Sequence, residues 1–225
     1  MKRWSKWLMM TAILLMLVTT AFLAACTTSH DDNHMKTETM PHSSGGQEMM
    51  DHGMDHDMDL GPADGTYDLR FIDGMIVHHE GAVEMAREAQ LKSQRPEILA
   101  LADDIIAAQA EEIGLMNRWK NEWYPQADDI SVVYDPQSGK NVAMTQAQID
   151  AMKMSGDLGP KDDQFDLRFI EAMIPHHQGA VAMARDALAK SLRSEVRALA
   201  DEIISAQEME IELMMSWKML WYGGH

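Results

Sequence analysis

The stretch YDLRFIDGMIVHHEGAVEMAREAQLK (67–92) decides the fold, because the chain writes it a second time as FDLRFIEAMIPHHQGAVAMARDALAK (165–190). The agreement continues past both segments, so that 67–124 aligns without a gap to 165–222, with roughly 36 identities in about 58 positions. Each unit reads as two helices. The first runs from about Tyr67 to Lys92, and the second opens at Pro96, a residue suited to a first turn. In the other copy it opens after Ser194 as N-cap. Two antiparallel hairpins make four helices, so the expected fold class is all-α, a four-helix bundle built from two repeated hairpins.

On a helical wheel at about 100° per residue, Phe71, Ile72, Met75, His78, His79, Ala82, Met85 and Ala86 share one arc. Arg70, Asp73, Glu80, Glu84 and Glu88 take the opposite side. Both histidines therefore face the core or its edge. Between Asp68 and Glu88 every difference from the second copy falls on the outer arc: Asp73/Glu171, Gly74/Ala172, Val77/Pro175, Glu80/Gln178, Glu84/Ala182 and Glu88/Asp186. Pro175, mid-helix, frees the Glu171 carbonyl and is expected to kink the helix beside His176.

The second helix carries an apolar stripe of Ile98, Leu101, Ala102, Ile105, Ile106, Ile113, Met116, Trp119 and Trp123, with Gln109 and Glu112 inside it. Gln207 and Glu210 repeat that intrusion. A carboxylate on a core face is costly unless it is paired or bound to a cation. Folding the hairpin near Ser93 and Gln94 gathers Met75, His78, His79, Gln109, Glu112 and Met116 at one height. The second hairpin gathers Met173, His176, His177, Gln207, Glu210 and Met214.

Three readings of these clusters compete. In the first, Glu and Gln satisfy the histidines and methionine fills space, a polar core network. In the second, thioether and imidazole bind a soft ion such as Cu(I) or Ag(I), ligands that persist where thiolates would oxidise. In the third, a carboxylate-bridged di-metal oxidase centre sits in the bundle, although the expected pair of Glu-x-x-His motifs is missing. The segment MMDHGMDHDMD (49–59) favours the soft ion: Met49, Met50, His52, Met54, His56 and Met58 alternate with acids in a region that needs no methionine. Trp119, Trp123, Trp217 and Trp221 suit bundle-end packing or a cation–π cap, and His225 is a further candidate ligand.

The N-terminus reads as an export signal. MKRWSKW is basic, the run after it is apolar, and Leu23-Ala24-Ala25-Cys26 has the form of a lipoprotein cleavage box. Residues 1–25 are then removed and Cys26, the only cysteine, is lipidated. The competing expectation is a retained membrane helix. With Cys26 lipidated there is no disulfide, thiol nucleophile or CxxC metal site. Residues 26–66 are expected to be a disordered Met/His-rich tether, and 125–164 a linker with a short helix capped by Thr145 and Gln148. Losing Lys2, Arg3 and Lys6 takes the formal charge from −17 by three to −20, which argues against nucleic acid and against a polybasic grip on lipid. No nucleophile–base arrangement or cofactor fingerprint is present, so an enzyme is not expected.

FDLRFIEAMIPHHQGAVAMA followed by ALADEIISAQEMEIELM, like the matching runs of the first copy, resembles the signature of the domain-of-unknown-function family numbered 305. The resemblance covers 67–222, and MTQAQIDAMKMSG in the linker is also similar. It implies a ferritin-like four-helix bundle, exported or membrane-tethered, with some members, the CopM-like proteins, linked to copper binding and tolerance. The resulting expectation is a lipid-anchored envelope protein that buffers or chaperones copper, Cu(I) above Cu(II) or Ag(I). Its ligands would be Met75, His78, His79, Met85, Met116, Met173, His176, His177, Met183 and Met214, with Glu112 and Glu210 as orienters or occasional ligands and the tail as a looser sponge. A copper-efflux or other envelope partner is compatible with this. The alternative is an envelope module that binds a partner and no metal.

Overall fold

The computed structural model describes residues 59–127 and 129–223. The chain divides into Met1–Gln47 and Glu48–His225, and everything described belongs to the second unit. Its elements are α1 (Tyr67–Lys92), α2 (Pro96–Trp123), β1 (Val132–Asp135), β2 (Lys140–Ala143), α3 (Gln146–Lys153), α4 (Phe165–Lys190) and α5 (Ser194–Tyr222). None of the described helices is long and apolar enough to cross a membrane.

The long helices form the four-helix bundle that the repeat predicts. Within each hairpin the pairs His79–Glu112, Gln90–Asp103 and Asp73–Lys120, and in the other copy His177–Glu210 and Lys218–Glu171, fix an antiparallel register. The turns are closed alike: Ser93 Oγ accepts from the Arg95 amide and Ser191 Oγ from the Arg193 amide. The hairpins meet along α1 and α4, which also run antiparallel, since Tyr67 donates to Asp186 and the His78 ring meets that of His176. At the two ends of the bundle Trp119 stacks on Trp123 at 5.0 Å and Trp217 on Trp221 at 5.2 Å. Arg193 covers Trp123 and Arg95 covers Trp221, so each stack is closed by the turn of the other repeat. These tryptophans pack bundle ends with arginine as their cation.

Three expectations are corrected, and the linker gains an element. Arg70 and Asp73 do not face solvent, because the polypeptide outside the bundle lies over that side of α1. Arg70 is fully buried: its Nε donates to the Leu60 carbonyl at 2.6 Å and its guanidinium also reaches Asp64 and the Pro62 carbonyl. Asp73 is held by Lys120 at 2.7 Å and by the Val132 amide at 3.0 Å, while burial pushes its pKa up against both contacts. Residues 59–66, expected to belong to a tether, are packed, with Leu60 in the core. The linker contains an antiparallel β1–β2 pair, Val132 opposite Ala143 and Asp135 opposite Lys140. Ser194 is the first residue of α5 and Arg193 its cap position, without a side-chain capping bond.

The short helix α3 has the capping box that Thr145 and Gln148 imply, and it ends at Met154 in the left-handed region. It docks so closely on α1 that a Cβ on Gly81 would sit 1.8 Å from the Lys153 carbonyl oxygen. No side chain fits there. α4 continues as a helix through Pro175. The segment of 1–58, including the predicted signal, Cys26 and the tail, lies outside the described residues, as does His225.

Candidate metal centre

His79 is buried on α1, and its Nε2 lies 2.6 Å from Glu112 Oε2 on α2. A carboxylate only accepts, so the ring proton belongs on Nε2. Nδ1 is then left inside the protein with no partner. A second N–H there would be a buried donor without an acceptor, so the fitting tautomer presents a lone pair. His177 and Glu210 repeat the arrangement at 2.6 Å, and His177 Nδ1 is likewise unpartnered. A carboxylate that fixes one ring nitrogen while the other stays free is the arrangement that orients an imidazole toward a metal.

Buried methionines lie on the turns of the helices next to each ring. Met75 lies one turn before His79, and Met116 one turn after Glu112, on antiparallel helices, so the two methionines share a level. Met75 and Met116 are fully buried in one apolar cluster, together with Met183 from α4. The mirror cluster holds Met173 and Met214 together with Met85 from α1. Met183 Sδ lies 3.9 Å from where a Cβ on Gly74 would stand, which places it against α1 one residue before Met75 in the chain. The sequence reading assembled each set from one hairpin. The structure instead exchanges one methionine between repeats, so neither hairpin holds a complete set.

His78 and His176 are not members of these two sets. Their rings meet at the contact between the hairpins, with centroids 3.8 Å apart and planes tilted by 48°. His176 Nε2–H donates to the carbonyls of His78 and Lys153, both at 3.1 Å. Both nitrogens of His78 and Nδ1 of His176 are buried without partners. Burial drives the His78 pKa well down, with the other three histidines adding to it. Burial, then the His177 and His79 rings, pushes His176 down to about 3. The dyad is neutral at any physiological pH. Gln109 and Gln207 are buried nearby in sequence to Glu112 and Glu210, each with an unpartnered Oε1.

The tail candidates Met49, Met50, His52, Met54, His56 and Met58 lie outside the described residues. Sequence reasoning missed Met152, which is buried in the first cluster with its methyl 3.7 Å from the same Gly74 position. The signal was present, since Met152 belongs to the linker phrase whose capping box marks a helix. An open groove of about 420 Å³ lined by Glu84, Glu88, Lys92, Asp157 and Met85 gives acidic access beside one of the thioethers.

Among the described residues no three His, Cys, Asp or Glu side chains converge as a metal-holding group. A hard ion or a carboxylate-bridged pair has no donor set there, because each carboxylate meets one histidine. A soft ion fits what is present, imidazole nitrogen amid thioether sulfur.

The model of the family described as a domain of unknown function (DUF305) matches residues 68–218. The chain belongs to the DUF305 family. Among solved structures, this DUF305 chain is similar to CopM in the Cu(II)-bound form, at 35% identity and a TM-score of 0.56, covering 69% of this chain and 97% of that one. CopM in the Cu(I)-bound form matches at 35% identity and a TM-score of 0.53 over the same shares. CopM in the Ag-bound form obtained by co-crystallization matches at 34% and 0.54, again over 69% and 97%. No curated protein matches.

Proposed function

We propose that this DUF305 protein is a copper-binding lipoprotein of the cell envelope that buffers or chaperones Cu(I), and accepts Ag(I), in metal tolerance. One site is formed by His79 Nδ1 with Met75, Met116 and Met183, the other by His177 Nδ1 with Met173, Met214 and Met85. Glu112 and Glu210 hold the rings. The carrying observation is the pair of buried, unpartnered Nδ1 atoms, each on a ring fixed through Nε2 at 2.6 Å. A polar core network that served only packing would satisfy those atoms. The copper and silver forms of CopM support the choice of ion. Thioether donors support Cu(I) over Cu(II). The tail would act as a looser reservoir, and lipidation at Cys26 would hold the protein at a membrane. Binding rather than turnover is the role these residues suit.

Anaerobic titration of the mature chain with Cu(I), against a chromophoric chelator, tests the reading. Replacing His79 and His177 together by Ala is expected to remove about two tightly held ions per chain while the tail still takes up weakly held copper. An unchanged tight stoichiometry would dismiss both sites. For the anchor, Cys26→Ala is expected to move the protein from the membrane to the soluble fraction.

A further inference from the structure

The end of α3 and the chain after it run along α1 from one metal centre to the other. Met152 is buried in the first cluster and Leu158 in the second. Beside Met152, the Lys153 carbonyl accepts from His176 Nε2 at 3.1 Å and lies against Gly81. Both ends of this segment are therefore fixed in the interior. Its middle, Met154–Asp157, is a strap of another kind. Met154 is left-handed with φ of 45°, a Cβ on Gly156 would meet nothing within 4 Å, and the Asp157 side chain is 85% exposed.

Polar contacts at the surface tie this strap to α1. Lys153 meets Glu84 at 2.6 Å and Glu80 at 3.6 Å, Ser155 Oγ donates to Glu84 at 2.8 Å, and Asp157 lies 3.6 Å from Lys92. Glu84 is the shared acceptor, and 49% of its side chain is exposed. Part-exposed contacts of this kind are individually weak, and segments held by them open locally while the core stays folded. Where α1 has Glu80 and Glu84, α4 has Gln178 and Ala182, so the latching carboxylates are features of the first repeat.

The groove of about 420 Å³ is lined by Met85 from α1 and by Ser155, Gly156 and Asp157 from the strap. Met85 is nonetheless only 1% exposed, and it belongs to the second cluster with Met173 and Met214. It is thus the donor of that centre that stands next to solvent. Glu84, Glu88 and Asp157 face Lys92 along the same lining, a balance of charge that draws cations in.

We propose that the strap Met154–Asp157 is the gate of the second metal centre: when it lifts from Glu84, Met85 is the first donor an entering soft cation meets. The ion then passes from the Met85 thioether to Met173, Met214 and His177. Thioethers bind Cu(I) or Ag(I) without losing a proton, so each step exchanges one ligand for another with no change of oxidation state. That the ion is copper or silver rests on the copper reading above; the opening of the strap does not.

Both parts are tested in the full mature chain carrying Cys26→Ser. Glu84→Ala, which gives α1 the residue that α4 has at this position, frees the strap. Glu84→Cys with Ser155→Cys, joined by dibromobimane, locks it. In the metal-free protein, dilute hydrogen peroxide is expected to convert Met85 to its sulfoxide about three- to tenfold faster in the freed chain than in the parent. The locked chain is expected to react about tenfold more slowly than the parent, with Met75 and Met116 unchanged throughout, as read by mass spectrometry of peptides. In a His79→Ala background, the tightly held Cu(I) should pass to excess chelator in the same order of rates, at an equilibrium affinity constant to within about threefold. Equal oxidation of Met85 in all three chains overturns the gate, as does copper release that ignores the lock. A rise at Met75 that keeps pace with Met85 marks opening of the whole bundle and overturns it as well. Oxidation that follows the strap in a chain whose bundle holds no tight copper keeps the opening and refutes the copper reading alone.

Discussion

Glu112 and Glu210 keep 20% and 16% of their side chains exposed, yet each grips a fully buried ring. That combination suits a group whose charge stays partly hydrated while one oxygen serves the interior. It also makes the carboxylate separable from the sulfur donors. Glu112→Ala is expected to weaken Cu(I) at the first site by about 10- to 100-fold and leave the second unchanged, as loss of an orienting partner does. It should also cost about 1–3 kcal/mol of metal-free stability, because His79 Nε2–H loses its acceptor. Chelator competition reads the first effect and urea unfolding the second. That Glu112 needs a buried partner was legible in the sequence, since a carboxylate inside an apolar stripe is costly alone, but folding near Ser93 and Gln94 sets His79 level with Gln109 and does not single out the pair that forms. His78 was not legible in the same way. A wheel shows that it points inward, but its neighbour His176 is ninety-eight residues away on a helix of the other repeat.

At the scale of the helices, the exchange of Met183 and Met85 between repeats makes binding depend on how α1 and α4 meet. Met183→Ala, a substitution on the second repeat, is expected to weaken the first site and spare the second. Met75→Ala and Met183→Ala together should cost less than the sum of their separate effects, since both strip one ion of sulfur. Site-resolved titrations in His177→Ala and His79→Ala backgrounds would show both patterns. Packing of α3 yields a second expectation. Gly81→Ala drives a Cβ to within 1.8 Å of a backbone carbonyl, so α3 must move or the chain must lose at least about 2 kcal/mol by thermal or urea unfolding. The four long helices were legible because heptad-like apolar spacing and a repeat agree. The β1–β2 pair escaped, although Asp135-Pro136 and Gly139 mark its turn, because two four-residue strands carry too little alternation to stand out. Arg70 and Asp73 were assigned to solvent because a wheel presumes one wet face. On α1 that face is covered by Leu60, β1 and α3.

For the whole described unit, the His78–His176 contact joins the two hairpins through two rings that the folded chain keeps neutral. Burial depresses both pKa values, whereas in the unfolded chain both return to about 6.5. Below that pH the unfolded state binds protons that the folded state refuses, so stability is complete above it and falls as the pH drops toward the folded values. Two such groups give a slope of up to about 2.7 kcal/mol per pH unit near pH 5, before most carboxylates titrate. Urea unfolding of the metal-free protein at pH 7 and pH 5 is therefore expected to show a loss of about 2–4 kcal/mol. The strongly acidic surface works in the opposite direction, because partial protonation relieves its self-repulsion. A fall in stability on mild acidification thus reports on the interior. If unfolding at pH 5 takes up fewer than about one proton, the rings accept protons within the fold and the contact between the hairpins opens on acidification.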